Sequence, residues 1–282
     1  MATKERVGFA GEGWGAIVAV KSLKQYFAIE CISTDEAILA LLDEEDQLLS
    51  SFEDLTCKIV IAAGYKPIIP NRLLEKHQFI NVHYSLLPKY RGLHSTAWAI
   101  MNNEPELGLT VHLMNEFIDD GPILYQHRVA NDFKSTAASY MTQFNEHVGE
   151  QLGAIVHNFY HGNIQPQAQD KAQATWVGKR SDKHNRLDFT KGHAFIKCLF
   201  RVLAPPYPLP FIEHKGRRYR VQEVGYHNAN VETDIGRILN VDNEGIWVKS
   251  KDGYIILKNL LNEKDEPIPY KKFKIGHYLN NA

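Results

Sequence analysis

A short polar stretch of the chain carries an amide, an imidazole and a hydroxyl at alternate positions. Asn81, His83 and Ser85 follow the apolar pair Phe79-Ile80 and precede a segment that contains Pro and Gly. This pattern predicts a strand running into a loop, with alternate side chains on one face about 7 Å apart. An Asn amide can donate a hydrogen bond to a developing oxyanion, and an imidazole can accept a proton near neutral pH. The pair therefore suits acyl transfer.

The set lacks a carboxylate that would orient the imidazole. Asp119 and Asp120 precede Gly121-Pro122, and a Gly/Pro turn would fix their loop beside the end of the strand. Asp119 is the favoured acid, although the residues alone leave Asp120 open. We expect the acid to hold the imidazole in one tautomer and to favour its charged form.

The elements around these residues alternate between short apolar runs and helical patterns, which is typical of an α/β fold with a mostly parallel, Rossmann-like sheet. Besides the strand with Asn81, the predicted strands lie at 7–10, 29–32, 58–63, 109–114 and 123–129, and the predicted helices at 16–26, 71–77, 96–101 and 135–160. A Gln/Ala/Lys-rich stretch at about 165–183 is interpreted as a connector. The predicted domains are residues 1–180 and a smaller β-rich domain at 181–282.

The composition is that of an ordinary globular protein. The 282 residues have a net charge of -1, which gives no global attraction to nucleic acid or membranes. Three distant cysteines form neither a disulfide framework nor a Cys-x-x-Cys site, and no apolar run approaches the ~18 residues of a membrane span. His157 and His161 have metal-ligand spacing, but without an accompanying acid they are interpreted as a solvated helix face. We expect a cytoplasmic protein that uses no metal and no membrane partner.

A longer motif surrounds the polar stretch. The string Asn-x-His-x-Ser-Leu-Leu-Pro-x-Tyr-Arg-Gly at 81–92, with Trp-Ala-Ile at 98–100, Gly-Leu-Thr-Val-His at 108–112 and Asp-x-Gly-Pro-Ile at 119–123, resembles the formyltransferases that use N10-formyltetrahydrofolate. The resemblance is dense over about residues 57–130. It implies that Asn81, His83 and Asp119 are the catalytic trio and that N10-formyltetrahydrofolate is the co-substrate. Ser95, which stands where many relatives have a proline, is a departure that bears on the loop conformation.

The resemblance also implies two sets of binding residues. One set lines a pocket for the folate and the other contacts the acceptor. The implied folate-binding residues are Gly64, Tyr65, Ile68, Leu86 and Asp119; the implied acceptor-binding residues are Gly11, Gly13, Trp14, Ser85, Lys89, Arg91 and His94. His112 is expected either to act in the site or to support it as a structural partner.

The second domain resembles the C-terminal module of the longer formyltransferases. An apolar helix at 195–203 leads into a Pro/Tyr-rich segment at 205–212, and Asp252-Gly253 between apolar runs predicts a hairpin. The resemblance implies a compact barrel of the oligonucleotide/oligosaccharide-binding type. Sugar-modifying relatives are often dimers through this domain, and segment 205–212, expected to be exposed and apolar, would permit a homodimer.

The glycines after the first strand suggest that the chain could bind a different cofactor, a dinucleotide. Gly11, Gly13 and Gly15 are spaced G-x-G-x-G, not G-x-G-x-x-G, while Asp35 stands at the distance of a ribose-binding acid. An NAD-dependent oxidoreductase is therefore the remoter alternative. A tight strand-to-helix turn whose amides line a ligand is the favoured interpretation.

Relatives of this kind formylate methionyl initiator tRNA, glycinamide ribonucleotide or nucleotide-linked amino sugars. Residues 31–56 contain no Lys or Arg where tRNA-acting relatives carry a basic insertion, which disfavours tRNA. A basic cluster at 215–220 keeps methionyl-tRNA as the alternative. The glycinamide ribonucleotide enzymes end near the catalytic domain, whereas this chain continues for about a hundred residues. We therefore expect a dTDP- or UDP-linked amino-deoxy sugar, destined for surface polysaccharide, as the acceptor.

Overall fold

The structure, a computed structural model, describes residues 4–280 and separates into two compact units. The first contains the chain up to Ala99, Pro105–Asn131 and Ser139–Lys179. The second contains Ile100–Glu104, Asp132–Ala138 and the chain from Arg180 onward. Within the described range, no helix has the length and apolar character needed to cross a membrane.

The first unit is built on a seven-stranded sheet of order β3-β2-β1-β4-β5-β7-β8, in which β1 to β5 are parallel and β7 runs antiparallel to both of its neighbours, β5 and β8. A separate parallel pair joins β6 to β9. The predicted α/β fold with a mostly parallel sheet is confirmed. The strands are β1 Arg6–Gly11, β2 Ala28–Ile32, β3 Gln47–Leu48, β4 Ile59–Ala63, β5 Gln78–His83, β6 Arg91–Gly92, β7 Glu106–Leu113, β8 Ile123–Ala130 and β9 Trp176–Val177.

The order of strands places a switch point between β1 and β4. From β1 the chain builds outward through β2 and β3, and it then returns to the other side of β1 to form β4 and β5. A Cβ atom on Gly11 would lie 1.8 Å from the Ala63 carbonyl oxygen, so only glycine permits the two strands to approach this closely. Open α/β sheets bind ligands in the crevice above such a point.

The helices are α1 Trp14–Leu23, α2 Glu36–Leu39, α3 Asn71–Leu74, α4 Ser95–Met101, α5 Ala137–Tyr160 and α6 His193–Val202. In α5, large buried apolar side chains recur at intervals of three or four positions, at Tyr140, Phe144, Val148, Leu152, Ile155 and Val156. This period places them on one face, which is the pattern of a helix packed on a core.

The second unit contains a five-stranded antiparallel sheet of order β10-β11-β14-β13-β12. Its strands are β10 Phe211–His214, β11 Arg217–Asn228, β12 Ile238–Val241, β13 Ile246–Ser250 and β14 Gly253–Leu261. The predicted hairpin joins β13 to β14. Its turn is Lys251-Asp252, because Gly253 already pairs with Ser250.

The Pro/Tyr-rich segment at 205–212 is not the continuous exposed surface that the sequence predicted. Tyr207 is 40% exposed, but Phe211 and Ile212 belong to β10 and are buried in the second unit. The last two residues therefore serve the core of their own unit.

Candidate active site

The end of β5 positions Asn81 and His83. The strand lies between β4 and β7, with Asn81 opposite His112 and His83 opposite Thr110. Because the two residues are two positions apart in a strand, their side chains share one face. Ser85 lies beyond the strand end, and its hydroxyl donates to the Lys89 carbonyl at 2.8 Å.

His83 is buried, and both of its ring nitrogens have neighbours. Nε2 lies 2.8 Å from the Tyr90 carbonyl oxygen, and since a carbonyl only accepts, Nε2 carries the proton. Nδ1 lies 3.4 Å from Asp119 Oδ2. Burial lowers the pKa of His83, although the Asp119 charge acts to raise it. The tautomer is set by the Tyr90 carbonyl and not, as expected, by Asp119. Asp119 does favour the charged form, as expected, but burial has the larger effect on the pKa of His83.

Asp119, not Asp120, faces the imidazole. Its Oδ2 accepts from the Gly92 N–H at 2.8 Å, and its Oδ1 lies 3.5 Å from His112 Nε2. Burial alone would raise the pKa of Asp119, but these neighbours, with His83, lower it to about 2. The Asp120 carboxylate pairs with Arg91 at 2.6 Å.

The Asn81 amide is held by long contacts. Its Nδ2 lies 3.3 Å from His112 Nε2 and 3.5 Å from Asp119 Oδ1. His112 Nδ1 donates to the Leu113 carbonyl at 2.8 Å, which orients the ring. His112 thus lies against both Asn81 and Asp119. Contacts this long leave the amide N–H free to turn toward a stronger acceptor.

A glutamine missed by sequence reasoning fixes the backbone around Asp119. The Asp119 backbone is left-handed, with φ of 52°. Gln169 Nε2 donates to the Asp119 and Gly121 carbonyls at 2.8 Å each, and Arg91 donates to Gln169 Oε1 at 2.7 Å. A Cβ on Gly121 would lie 1.8 Å from the Leu113 carbonyl oxygen, which explains the Asp-x-Gly spacing.

The stretch around Gln169 is part of the first unit's framework and not a simple connector. Gln167 pairs with Ile123 through two backbone hydrogen bonds of 2.7 and 2.8 Å. Further on, β9 pairs with β6, the strand that contains Arg91 and Gly92. The interpretation of the start of this stretch as a connector was wrong, because its polar composition conceals a buried glutamine and a short strand.

A cavity of about 710 Å³ lies above the switch point between β1 and β4. It brings together Gly11 from the implied acceptor set and Tyr65 from the implied folate set. Glu12 and Lys66 form an ion pair at its edge. Its remaining lining comes from Ile32, Ser33, Thr34, Leu48, Leu49, Ser50 and Pro67.

Other members of the implied folate set do not join this cavity. Ile68 is 89% exposed, and Leu86 Cδ2 lies 2.5 Å from where Gly108 would carry a Cβ. Leu86 therefore packs on β7 four residues before His112. Gly64 lies in the loop after β4, with its α-carbon facing the Glu12 carbonyl.

The implied acceptor set divides between buried and exposed residues. Ser85 and Arg91 are buried, and the Arg91 guanidinium is engaged by Asp120 and Gln169. Lys89 and His94 are exposed, and Trp14 is 49% exposed at the start of α1. The structure therefore does not gather this set around one point.

A carboxylate of the protein occupies the N-terminus of α1. The Gly13 N–H donates to Asp35 Oδ2 at 2.8 Å, and the other Asp35 oxygen caps α2 through the Ala37 N–H at 3.0 Å. The Gly13 N–H lowers the pKa of Asp35. A dinucleotide pyrophosphate would have to displace this anion, which argues against the NAD alternative.

Within residues 4–280, no group of three or more His, Cys, Asp or Glu side chains could hold a metal ion. His157 is half-buried, with its ring 5.1 Å from that of the exposed Tyr26, so the helix face on which it lies is only partly solvated. His161 Nε2 lies 3.2 Å from the Glu5 carboxylate.

Two family models match the chain. The formyl transferase model matches residues 19–155, which include the β5 end and Asp119, and the model of the formyl transferase C-terminal domain matches residues 179–278. The chain belongs to the formyl transferase family. It is therefore an enzyme, and the family suggested by the sequence motifs is confirmed.

Similar formyltransferases are found among curated proteins and solved structures. The methionyl-tRNA formyltransferase of Clostridium novyi is 26% identical over 240 residues, which cover 84% of this chain and 77% of that protein. An N-formyltransferase from Helicobacter canadensis, solved with folinic acid and dTDP-3-aminofucose, has a TM-score of 0.69 at 18% identity, covering 90% of this chain and 98% of that one. HypX from Aquifex aeolicus, solved with tetrahydrofolic acid, has a TM-score of 0.62 at 17% identity; the match covers all of this chain and 51% of HypX. The two structural likenesses establish the fold.

Proposed function

We propose that this formyltransferase transfers the formyl group of N10-formyltetrahydrofolate to the primary amine of a dTDP- or UDP-linked amino-deoxy sugar. The roles of Asn81, His83 and Asp119 in this reaction are part of the proposal. We propose that the reaction takes place in the cytoplasm and that its product is used in surface polysaccharide synthesis. We also propose that the enzyme is a homodimer and that Tyr207 contributes to the contact between the two copies.

The neutral imidazole serves as the base. The Nδ1 lone pair of His83 and the carboxylate of Asp119 are two acceptors within 3.4 Å of each other, and an amine with two N–H groups can donate to both. As the amine nitrogen bonds to the formyl carbon, its proton passes to Nδ1. The new N–H then faces Asp119, which stabilises the imidazolium.

The amide of Asn81 stabilises the oxyanion. Because its contacts with His112 and Asp119 are long, one N–H can turn to the formyl oxygen as negative charge develops there. When the bond from the formyl carbon to N10 breaks, His83 returns the proton to N10. The products are the formamide and tetrahydrofolate, and His83 is neutral again.

The charge of segment 31–56 is the observation that carries the choice of acceptor. This segment contributes six residues to the lining of the cavity above the switch point, yet it contains no Lys or Arg. A tRNA acceptor stem needs cations along its phosphates. The Helicobacter canadensis likeness, solved with a dTDP-linked amino sugar, supports the same choice.

The basic cluster of the second unit is partly neutralised. Arg218 pairs with Asp182 and Glu213, and Arg220 pairs with Asp265 at 2.8 Å. A surface whose arginines are engaged in ion pairs has less charge to offer to phosphates. This supports a small acceptor over a nucleic acid.

Methionyl-tRNA is the second candidate acceptor, because the curated sequence relatives are methionyl-tRNA formyltransferases. The purified protein should be incubated with N10-formyltetrahydrofolate and a panel of dTDP-, UDP- and GDP-linked amino sugars, beside charged initiator tRNA, while tetrahydrofolate release is followed. Turnover with a dTDP- or UDP-sugar supports the proposal. Turnover with tRNA alone would replace it with the second candidate.

A further inference from the structure

A second groove, of about 530 Å³, lies beside the backbone of Asp119. Ile118 and Asp120, its two neighbours in the chain, line the groove, whereas Asp119 turns its carboxylate to His83. The pair of strands β6 and β9 contributes Arg91 and Trp176 to the same groove. The Asp119 loop and strand β6 thus lie between the groove and the imidazole of His83.

Large apolar side chains in this groove are exposed. Trp176 is 66% exposed, Phe117 61% and Ile118 68%. Three such residues in one concave surface mark a binding site more often than chance exposure does.

The indole of Trp176 rests on a fixed support. The Arg91 guanidinium lies 5.5 Å from its ring centroid, and Arg91 is itself buried and held by Asp120 and Gln169. A cation packed on the indole orients the ring. A ring that is already oriented loses little conformational entropy when a ligand stacks on it.

The polar groups at the groove match a nucleotide. The largely exposed Lys171 has its ammonium 3.6 Å from the Asp120 carboxylate, which already pairs with Arg91 at 2.6 Å. Lys171 can therefore turn to a phosphate. Exposed Glu116 offers a carboxylate that accepts from the N–H edge of a base.

We propose that this groove binds the nucleobase of the nucleotide-linked acceptor, stacked on Trp176 and Phe117, with Lys171 at the diphosphate. The inference rests on the proposed function and adds the subsite that recognises the nucleotide. Aromatic side chains bind bases by stacking with little dependence on the base. Glu116 then contributes the selection among bases through hydrogen bonding.

The folate fits this groove less well than the nucleotide does. Its aminobenzoyl ring is bonded directly to N10 and so stays beside the formyl group, and its glutamate carboxylates would meet Glu116 and Asp120. In the acceptor, a diphosphate and a pentose separate the neutral base from the sugar amine. This link lets the base lie behind the wall formed by β6 while the amine reaches His83.

Calorimetric titration tests the groove without formyl transfer. UDP, dTDP, GDP and tetrahydrofolate are titrated separately into the full-length wild type and into Trp176→Ala, Trp176→Phe and Ile275→Ala. The last removes an exposed apolar side chain of the second unit and serves as the matched control. We expect UDP or dTDP to bind the wild type and Trp176→Ala to weaken that binding about tenfold, from the usual contribution of one stacked base. Trp176→Phe should keep most of the affinity, and tetrahydrofolate binding should be unchanged.

Three results would overturn the inference: no nucleotide binding by the wild type, nucleotide affinity unchanged in folded Trp176→Ala, or a loss confined to tetrahydrofolate. The last would assign the groove to the folate. Sugar nucleotide turnover is measured separately. Turnover with an unchanged KM in Trp176→Ala would leave the proposed function standing while removing the subsite, whereas turnover on tRNA alone removes the function itself.

Discussion

The base and the acid of the candidate site are held in place by different means. His83 and Asn81 lie on β5, which pairs with β4 over residues 78–81 on one side and with β7 over residues 80–83 on the other. Asp119 lies in a loop with a left-handed backbone, where its carbonyl and that of Gly121 depend on one side chain, Gln169. The strand spreads its support over many backbone bonds, whereas the loop concentrates it. The position of the acid should therefore be the easier one to disturb with a single substitution.

The largest effect is expected from His83→Ala, which removes the base but leaves the β5 ladder intact. The kcat should fall by about 10²- to 10⁴-fold, which is the usual contribution of a general base. Steady-state kinetics with the acceptor identified by the panel measures it, and circular dichroism verifies folding. A folded variant that loses less than tenfold would contradict the assignment of His83.

Asn81→Ala should lower kcat by about 10²-fold with a smaller change in KM, because the oxyanion forms only on the way to the transition state. Gln78→Ala is the matched control, since Gln78 is an exposed residue of the same strand. Equal losses in the two variants would point to damage to β5 and not to a lost oxyanion contact.

Gln169→Ala tests the support of the loop. It leaves two buried carbonyls without their donor, so we expect a loss of about 1–3 kcal/mol in the free energy of unfolding and about tenfold in kcat. Gln173→Ala removes the same amide from an exposed position of the same segment and should change neither. If kcat is unchanged in Gln169→Ala, other contacts hold Asp119 in place. The Asp119 loop would then not depend on a single side chain, and it would not differ from β5 in this respect.

The pH dependence of kcat gives the mildest test. Because burial lowers the pKa of His83, the base stays neutral below the ordinary value of 6.5, while Asp119, with a pKa of about 2, stays ionised. The unfolded chain takes up the His83 proton first as the pH falls, so this residue's share of stability is lost below pH 6.5. We expect kcat to be flat from pH 7 to 8 with an acid limb below 6.5. An acid limb centred above pH 7 would mean that the charge of Asp119 raises the pKa of His83 by more than burial lowers it.

The residues that do chemistry were more visible in the sequence than those that position them. Asn81 and His83 follow an apolar strand at the spacing that puts them on one face, so strand geometry and the motif predicted their proximity. The fold class was predictable because buried strands such as β1 and β4 are continuous apolar runs. The family was predictable because its motif is one continuous stretch that begins at the end of β5.

The remaining features depend on contacts between distant parts of the chain. Gln169 meets Asp119 from fifty residues away, with no periodicity to mark it. Arg91 looked available to substrate because its partner Asp120 is remote in sequence. Ile68 and Leu86 were assigned by the family resemblance, which does not specify whether a side chain turns outward, as Ile68 does, or onto a neighbouring strand, as Leu86 does. Their roles in folate binding stay predictions.

The carboxylate of Asp35 at the start of α1 also affects whether free anions can bind to this turn. Phosphate, sulfate and the many phosphorylated metabolites around the enzyme are all drawn to vacant amides at a glycine turn. Here the Gly13 amide is already satisfied by a tethered anion whose local concentration no free metabolite matches. The Asp35 carboxylate thus competes with free anions for the Gly13 amide. We expect this turn to bind phosphate and sulfate weakly, so that they need not dissociate from it before turnover.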